Sequence, residues 1–278
     1  MTQSVMVSSQ PITIRQDLPD KVHGVKLSSQ QVDQFWKDGA LTLKNLLNER
    51  EVDALNKRAE WVATGAAPHI CSSHLQVEPK VAQNQTTADS YANSLRKMSH
   101  LASADEVFRD HARNPKILDV IESLIGADIK LYTDQLFMKP PKIGSRQPCH
   151  QDIPCGFHID PPVMVTCWTA INDSTVENGC LWMVRGSHRH GRMQKSQWAE
   201  FEQKSVEGRL TEEQPVIMKA GGCSFHHGLT LHSSRPNQSS QPRRGYATHY
   251  VSARCRYTGT ADRNHAILVR GRSWEGCI

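Results

Sequence analysis

The run VMVTCWTAIN, residues 163–172, reads as a β-strand: apolar and β-branched side chains dominate it, and Pro161-Pro162 suits a turn just ahead of it. Short apolar or alternating runs of the same kind occur on both sides, at Ile129–Met138, Leu181–Val184, Val216–Lys219, Ser224–Phe225, Thr230–His232 and Tyr246–Ala253. Clusters of Pro, Gly and Asn separate them, which predicts a β-sandwich or barrel. Upstream the period changes to that of helices. Ser28 or Ser29 caps a predicted helix bearing Val32, Phe35 and Trp36 that stops at Gly39, and a second runs from about Asn48 to Val62. The helical period returns through Val107, Phe108 and His111, then through Ile117, Val120, Ile121 and Leu124 to Gly126. Helices first and strands afterwards predict a single, mainly β domain with N-terminal helices. Residues 1–27 read as an arm, 28–126 as mostly helical, 127–255 as the β core and 256–278 as a C-terminal segment. Residues 64–95 are polar and irregular, the pattern of a binding loop or lid.

Length and composition narrow the function classes. A chain of 278 residues buries one substantial core. Its formal charge of +5 comes from scattered residues rather than a basic tail or stripe, which favours anionic small molecules over nucleic acid. No apolar stretch of membrane-spanning length occurs, and the first residues lack the apolar core of a secretory signal, so a cytoplasmic location is expected. The eight cysteines form no CxxC pair and read as reduced thiols. Cys149 and Cys155, flanked by His150 and His158, suggest zinc, but a second cysteine pair is missing.

The chemistry concentrates in His150-Gln151-Asp152. In an extended segment residues i and i+2 share a face, so one imidazole and one carboxylate converge on a single ion. One distant His completes a two-His, one-carboxylate set that leaves three positions of an octahedral Fe(II) open. His158-Ile159-Asp160 competes, but Asp160 runs straight into Pro161-Pro162, which removes two backbone donors and suits a turn. Candidates for the distal ligand are His226, His227, His232 and His249. His232 is favoured because a short strand and the Gly221-Gly222 turn precede it, while Arg243-Arg244 follows where a guanidinium can clamp a dicarboxylate.

Three segments in order, HQDIPCGFHIDPP (150–162), TCWTAINDSTVENGCLWMVRGSH (166–188) and HHGLTLHSSRPNQSSQPRRGYATHYV (226–251), resemble the phytanoyl-CoA dioxygenase family of Fe(II)/2-oxoglutarate oxygenases. The resemblance spans about Lys97 to Tyr250 and implies a double-stranded β-helix, the cupin-like jelly roll. It implies His150, Asp152 and His232 as iron ligands, and Arg243, eleven residues past the distal His, as the partner of the 2-oxoglutarate C5 carboxylate. Arg244 is expected to face away. Ser234 matches a further cosubstrate contact, and Lys97, Gln135, Gln151 and Trp168 fall where family members approach the cosubstrate. Glu177–Cys180 and Arg185–His188 also resemble the family, and we read them as structural, with Asn178-Gly179 supplying a hairpin turn.

The implied activity is hydroxylation of an unactivated C–H bond, using Fe(II), 2-oxoglutarate and dioxygen, with ascorbate as a stimulant and release of succinate and CO2. Because Asp152 supplies the third ligand, hydroxylation is preferred over halogenation. The substrate is expected to be a small molecule bearing a carboxylate, phosphonate, phosphate or CoA ester. The basis is the set Lys139, Lys142, Arg146, Arg185, Arg189, Arg192 and Arg235 flanking the ligand motifs. Two rivals share the ligand set: a cupin-like module with a non-catalytic metal, and a zinc hydrolase.

Overall fold

The computed structural model describes residues 25–259 and 266–278, so nearly all of the predicted N-terminal arm lies outside the described residues. The helices are α1 (Ser29–Asp38), α2 (Glu49–Ala63), α3 (Pro79–Ala82), α4 (Tyr91–Ser94), α5 (Leu101–Ala104), α6 (Glu106–Ala112), α7 (Pro115–Ile125) and α8 (Lys195–Val206). The strands up to the middle of the chain are β1 (Ala40–Leu43), β2 (Leu75–Val77), β3 (Leu95–Ser99), β4 (Ile129–Lys139), β5 (Gln147–His150), β6 (Ile159–Asp160) and β7 (Met164–Ala170). Those that follow are β8 (Leu181–Val184), β9 (Glu213–Val216), β10 (Cys223–His227), β11 (His232–Ser234), β12 (Arg243–Ser252), β13 (Arg256–Tyr257) and β14 (Ile267–Arg270).

The first two helices begin as their caps dictate. Ser28 Oγ accepts from the Gln31 amide while the Ser28 amide donates to the Gln31 side chain, and Asn48 and Glu51 exchange the same pair of bonds ahead of α2. Gly39, at φ +77°, ends α1 in the left-handed region. The chain then enters β1 directly.

Two antiparallel sheets face each other. The larger runs β1-β10-β7-β12-β4-β3-β2, with β14 also pairing with β4; the smaller runs β5-β11-β8-β9, and β6 and β13 form a separate ribbon. This is the double-stranded β-helix that the motifs imply. Strand alternation divides the larger sheet between two duties. On β7, Val165 and Cys167 join the cluster that includes Ile117, Val120 and Ile121 of α7, while Trp168 and Ala170 join Leu181 and Met183 from the smaller sheet. On β12, the Tyr250 hydroxyl donates to Ala112 O at 3.0 Å on the helical side, and Ala247 faces the opposite sheet.

The segment expected to be mostly helical also supplies β1, β2 and β3, and the C-terminal segment supplies β14. Two strands lie off the positions that apolarity suggests: β9 ends at Val216 instead of starting there, and β11 starts at His232 instead of ending there. The displacement has a chemical cause. Glu213 is buried at the start of β9, where its carboxylate accepts from the hydroxyls of Ser205 and Ser233 and from Arg235. Satisfied polar residues thus occupy strand positions that a hydrophobic pattern skips. Helix α8 escapes the sequence pattern because of its side chains only Trp198 and Ser205 are buried.

Candidate active site

The carboxylate and the first imidazole are brought together by a turn, not by an extended strand. β5 ends at His150, and Asp152 adopts helical angles (φ −62°, ψ −52°) at the head of the 3-10 turn Ile153–Cys155. The turn sends Gln151 the other way. Its amide nitrogen donates to Gly191 O (2.8 Å) and Leu229 O (2.7 Å), and its oxygen accepts from the Met193 amide (2.9 Å), so it braces the loops behind the site.

His232 stands directly opposite His150 in the β11–β5 register, with ring centroids 4.2 Å apart. Nε2 of His150 and Nε2 of His232 lie 3.8 and 3.7 Å from Asp152 Oδ1. The three ligand atoms fall within 4.8 Å of one another, the one group of this kind among the described residues. Each ring has its other nitrogen beside a carbonyl: His150 Nδ1 to Pro148 O at 2.8 Å, His232 Nδ1 to Thr230 O at 3.0 Å. A carbonyl only accepts, so the proton sits on Nδ1 and the Nε2 lone pair is left for a metal.

Burial pushes His150 down to about 4 and lowers His232 as well, which keeps both rings neutral. For Asp152 burial acts upward, but the imidazoles of His232, His226 and His249 outweigh it and hold the carboxyl well below its usual range. Two neutral imidazoles and one ionised carboxylate on one side of a point form a set suited to Fe(II). The competing pair stands elsewhere: Asp160 is exposed in the β6–β13 ribbon, and His158 packs edge-on against Tyr257.

These three side chains open on a cavity of about 500 Å³, counting its mouth, between the two sheets. Phe137, Trp168, Leu181 and Ala247 give it apolar walls, and Gln135, Gln147, Ser234 and Arg243 add polar groups. Arg243 is 1% exposed, and burial lowers its pKa to about 10. Its Nη2 donates to Gly179 O at 3.0 Å, and the guanidinium lies 5.3 Å from the centre of the Trp168 ring. Its Nε and Nη1, both buried, have no partner among the described residues. A buried cation with two spare donors on a cavity wall is matched by the two oxygens of a carboxylate. Arg244 points the opposite way and bonds Asn56 Oδ1 (2.7 Å) and Glu60 Oε1 (2.8 Å).

Of the other residues expected at the cosubstrate, Ser234, Gln135 and Trp168 line the cavity and Gln151 does not. Lys97 stands across from Phe137 in the β3–β4 register, one strand beyond the wall, and burial lowers its pKa. Gln147, which the sequence did not single out, also lines the cavity, and its side-chain oxygen accepts from Arg96 at 2.6 Å. Arg96 is held in turn by Glu78, which is fully buried and also accepts from Ser145 Oγ at 2.6 Å. The segment read as a lid is therefore tied at Glu78 into the wall of the site.

Most of the flanking cations are committed to the protein. Lys139 is buried and donates to Ser145 O and Arg235 O, both at 2.6 Å, while Lys142 donates to Gln238 O. Arg146 pairs with Glu202, Arg185 with Asp38 and Arg235 with Glu213, and Arg192 donates to Ile159 O. None of the seven lines the cavity.

Trp168 keeps its place because Gly245 lacks a side chain. A Cβ at that position would lie 1.9 Å from the Trp168 ring. Gly245→Ala is expected to push the indole into the cavity and weaken 2-oxoglutarate binding at least tenfold, while the fold survives. Titrating the cosubstrate anaerobically into the iron-loaded variant checks this, and unchanged affinity would contradict it.

A jelly roll with two histidines and one aspartate between its sheets, and a buried arginine fork beside them, defines the class of Fe(II)/2-oxoglutarate oxygenases. The family model described as Phytanoyl-CoA dioxygenase (PhyH) matches residues 35–245, and the chain belongs to that family. The peroxisomal phytanoyl-CoA dioxygenase of Rattus norvegicus is 28% identical over 267 residues, covering 90% of this chain and 73% of that protein. Among solved structures, EctD from S. alaskensis with 2-oxoglutarate and 5-hydroxyectoine shares the fold at a TM-score of 0.71 and 18% identity, covering 98% of this chain and 95% of that one. The carbocyclase SnoK from nogalamycin biosynthesis shares it at 0.67 and 23%, covering 86% and 89%. As a member of this family the protein is a 2-oxoglutarate-dependent dioxygenase that uses iron. Among the described residues no helix is long and apolar enough to cross a membrane.

Proposed function

We propose that the protein hydroxylates an unactivated C–H bond of a small metabolite that carries an anionic group, with His150, Asp152 and His232 holding the iron and Arg243 the 2-oxoglutarate. The unpartnered Arg243 fork beside the ligand set carries this reading, since neither a hydrolase nor a passive metal module has a use for it. Iron and 2-oxoglutarate supply the oxidising power, the cosubstrate leaving as succinate and CO2 as dioxygen is consumed. The protein's own part is placement. Neutral imidazoles and an ionised carboxylate offer three ligands on one side, and Arg243 with Ser234 fixes the far end of the dicarboxylate. Gln135 and the Trp168 indole line the same wall, and Phe137 and Leu181 keep water away from the reacting carbon.

An anionic substrate draws its support from Lys97 and the net charge of +5, not from the flanking arginines, most of which are otherwise engaged. Lys97 is half-buried on the strand next to the cavity wall, across from Phe137, with no hydrogen bond or ion pair among the described residues. The family pattern also sets Lys97 and Gln151 near the cosubstrate, and for Gln151 we assign an indirect role through the loops it braces. The eight cysteines, all free, support a reducing compartment such as the cytoplasm.

Succinate release in the presence of iron, ascorbate and matched anionic, neutral and cationic small molecules tests both levels. Stimulation by anionic members that vanishes when 2-oxoglutarate or dioxygen is omitted is the expected result. Turnover without cosubstrate would refute the reaction class; a best substrate that is neutral or cationic would refute the substrate class alone.

A further inference from the structure

The two oxygens of Asp152 have different neighbours. Oδ1 faces the two ligand imidazoles, while Oδ2 is gripped from behind by the larger sheet. Thr166 Oγ1 donates to Oδ2 at 2.8 Å, and His226 Nε2 lies 3.3 Å from the same atom. The Thr166 hydroxyl has its other side against His249 Nδ1, at 2.8 Å. Because its proton goes to the carboxylate, the oxygen accepts from His249, which places that ring's proton on Nδ1. The three residues form one row across three strands. His226 pairs with Thr166 in the β10–β7 register, and Thr166 pairs with His249 in the β7–β12 register. All are buried, at 2%, 1% and 3% exposure.

We propose that His226, Thr166 and His249 are positioning residues that hold Asp152 by Oδ2, so that Oδ1 alone is presented to the metal. The proposal rests on the assignment of His150, Asp152 and His232 as iron ligands. Asp152 sits at the start of a short turn, where its own backbone fixes the carboxylate's rotation only loosely. Two donors on one oxygen oppose partial rotation of the carboxylate about Cβ–Cγ, since any such rotation breaks both bonds. They also oppose binding of the ion through both oxygens, which would use a position that cosubstrate or dioxygen needs. The row further stabilises the ionised carboxylate while no metal is bound, at a site with no lysine or arginine within ion-pair distance of it among the described residues.

Outer partners of metal ligands typically contribute about 10- to 100-fold to metal affinity. Thr166→Val keeps the shape and removes the hydroxyl; Thr166→Ser restores it. His226→Phe removes the ring donor, and His226→Gln returns an amide N–H near Nε2. The experiment measures Fe(II) dissociation constants by anaerobic titration and the visible charge-transfer band of each Fe(II)–2-oxoglutarate complex, with circular dichroism to confirm folding. We expect Thr166→Val and His226→Phe to weaken iron binding by about 10- to 100-fold and to shift or broaden the band. Thr166→Ser and His226→Gln should recover most of the loss. Folded valine and phenylalanine variants with wild-type affinity and band would overturn the proposal, as would serine and glutamine variants no better than those they replace. If the wild-type protein itself binds no Fe(II), the ligand assignment fails instead.

Discussion

Asp152→Ala is expected to lose both bound iron and turnover, to below detection. The substitution removes the one anionic ligand and strands the donors of His226 and Thr166, which lose their acceptor in a buried site. His232→Ala should have the same outcome. Asp160→Ala, at an exposed position in the ribbon, should keep wild-type iron content. Elemental analysis after anaerobic reconstitution and desalting decides it: iron lost from Asp160→Ala and kept by Asp152→Ala would mean that the metal lies elsewhere.

Arg243→Ala should produce the next largest effect. Leaving a carboxylate desolvated and unpaired costs about 2–5 kcal/mol. That corresponds to roughly a 30- to 5,000-fold rise in the 2-oxoglutarate KM if the cosubstrate binds at equilibrium. Arg244→Ala should change that KM little, because its guanidinium bonds Asn56 and Glu60 on the far side of the sheet. Steady-state kinetics with cosubstrate varied separates the two, and the reverse ranking would mean that the wrong arginine faces the ligand.

His150, Asp152, His232 and Arg243, which we propose hold iron and 2-oxoglutarate, could be picked out of the sequence because they sit in short motifs whose residue types are tied to that chemistry. Arg244 facing away follows from strand alternation alone. The local geometry of the His-x-Asp pair is less legible, since the extended reading and the turn both bring His150 and Asp152 together and only the fate of Gln151 tells them apart. The row behind Asp152 lies beyond such reading. Thr166 meets His249 across 83 positions and Asp152 meets His226 across 74, and only the register of three paired strands lines them up. Charge was the most misleading signal. Arg146, Arg185 and Arg235 look like an anion-binding field in one dimension, yet their partners Glu202, Asp38 and Glu213 come from other parts of the chain.

The position of β12 has a consequence for how the molecule assembles. This strand lies between β4 and β7 and carries Arg243 and His249, so the centre of the larger sheet closes only when residues 243–252 arrive. Until then β4 and β7 have no neighbour on their facing edges, and both present apolar side chains. A nascent chain must therefore carry these open strand edges until residues 243–252 emerge. Formation of so many distant pairings is intrinsically slow. Chains interrupted before residue 243 would hold His150, Asp152 and His232 but lack the strand that joins the two halves of the larger sheet, which makes aggregation rather than partial activity their expected fate.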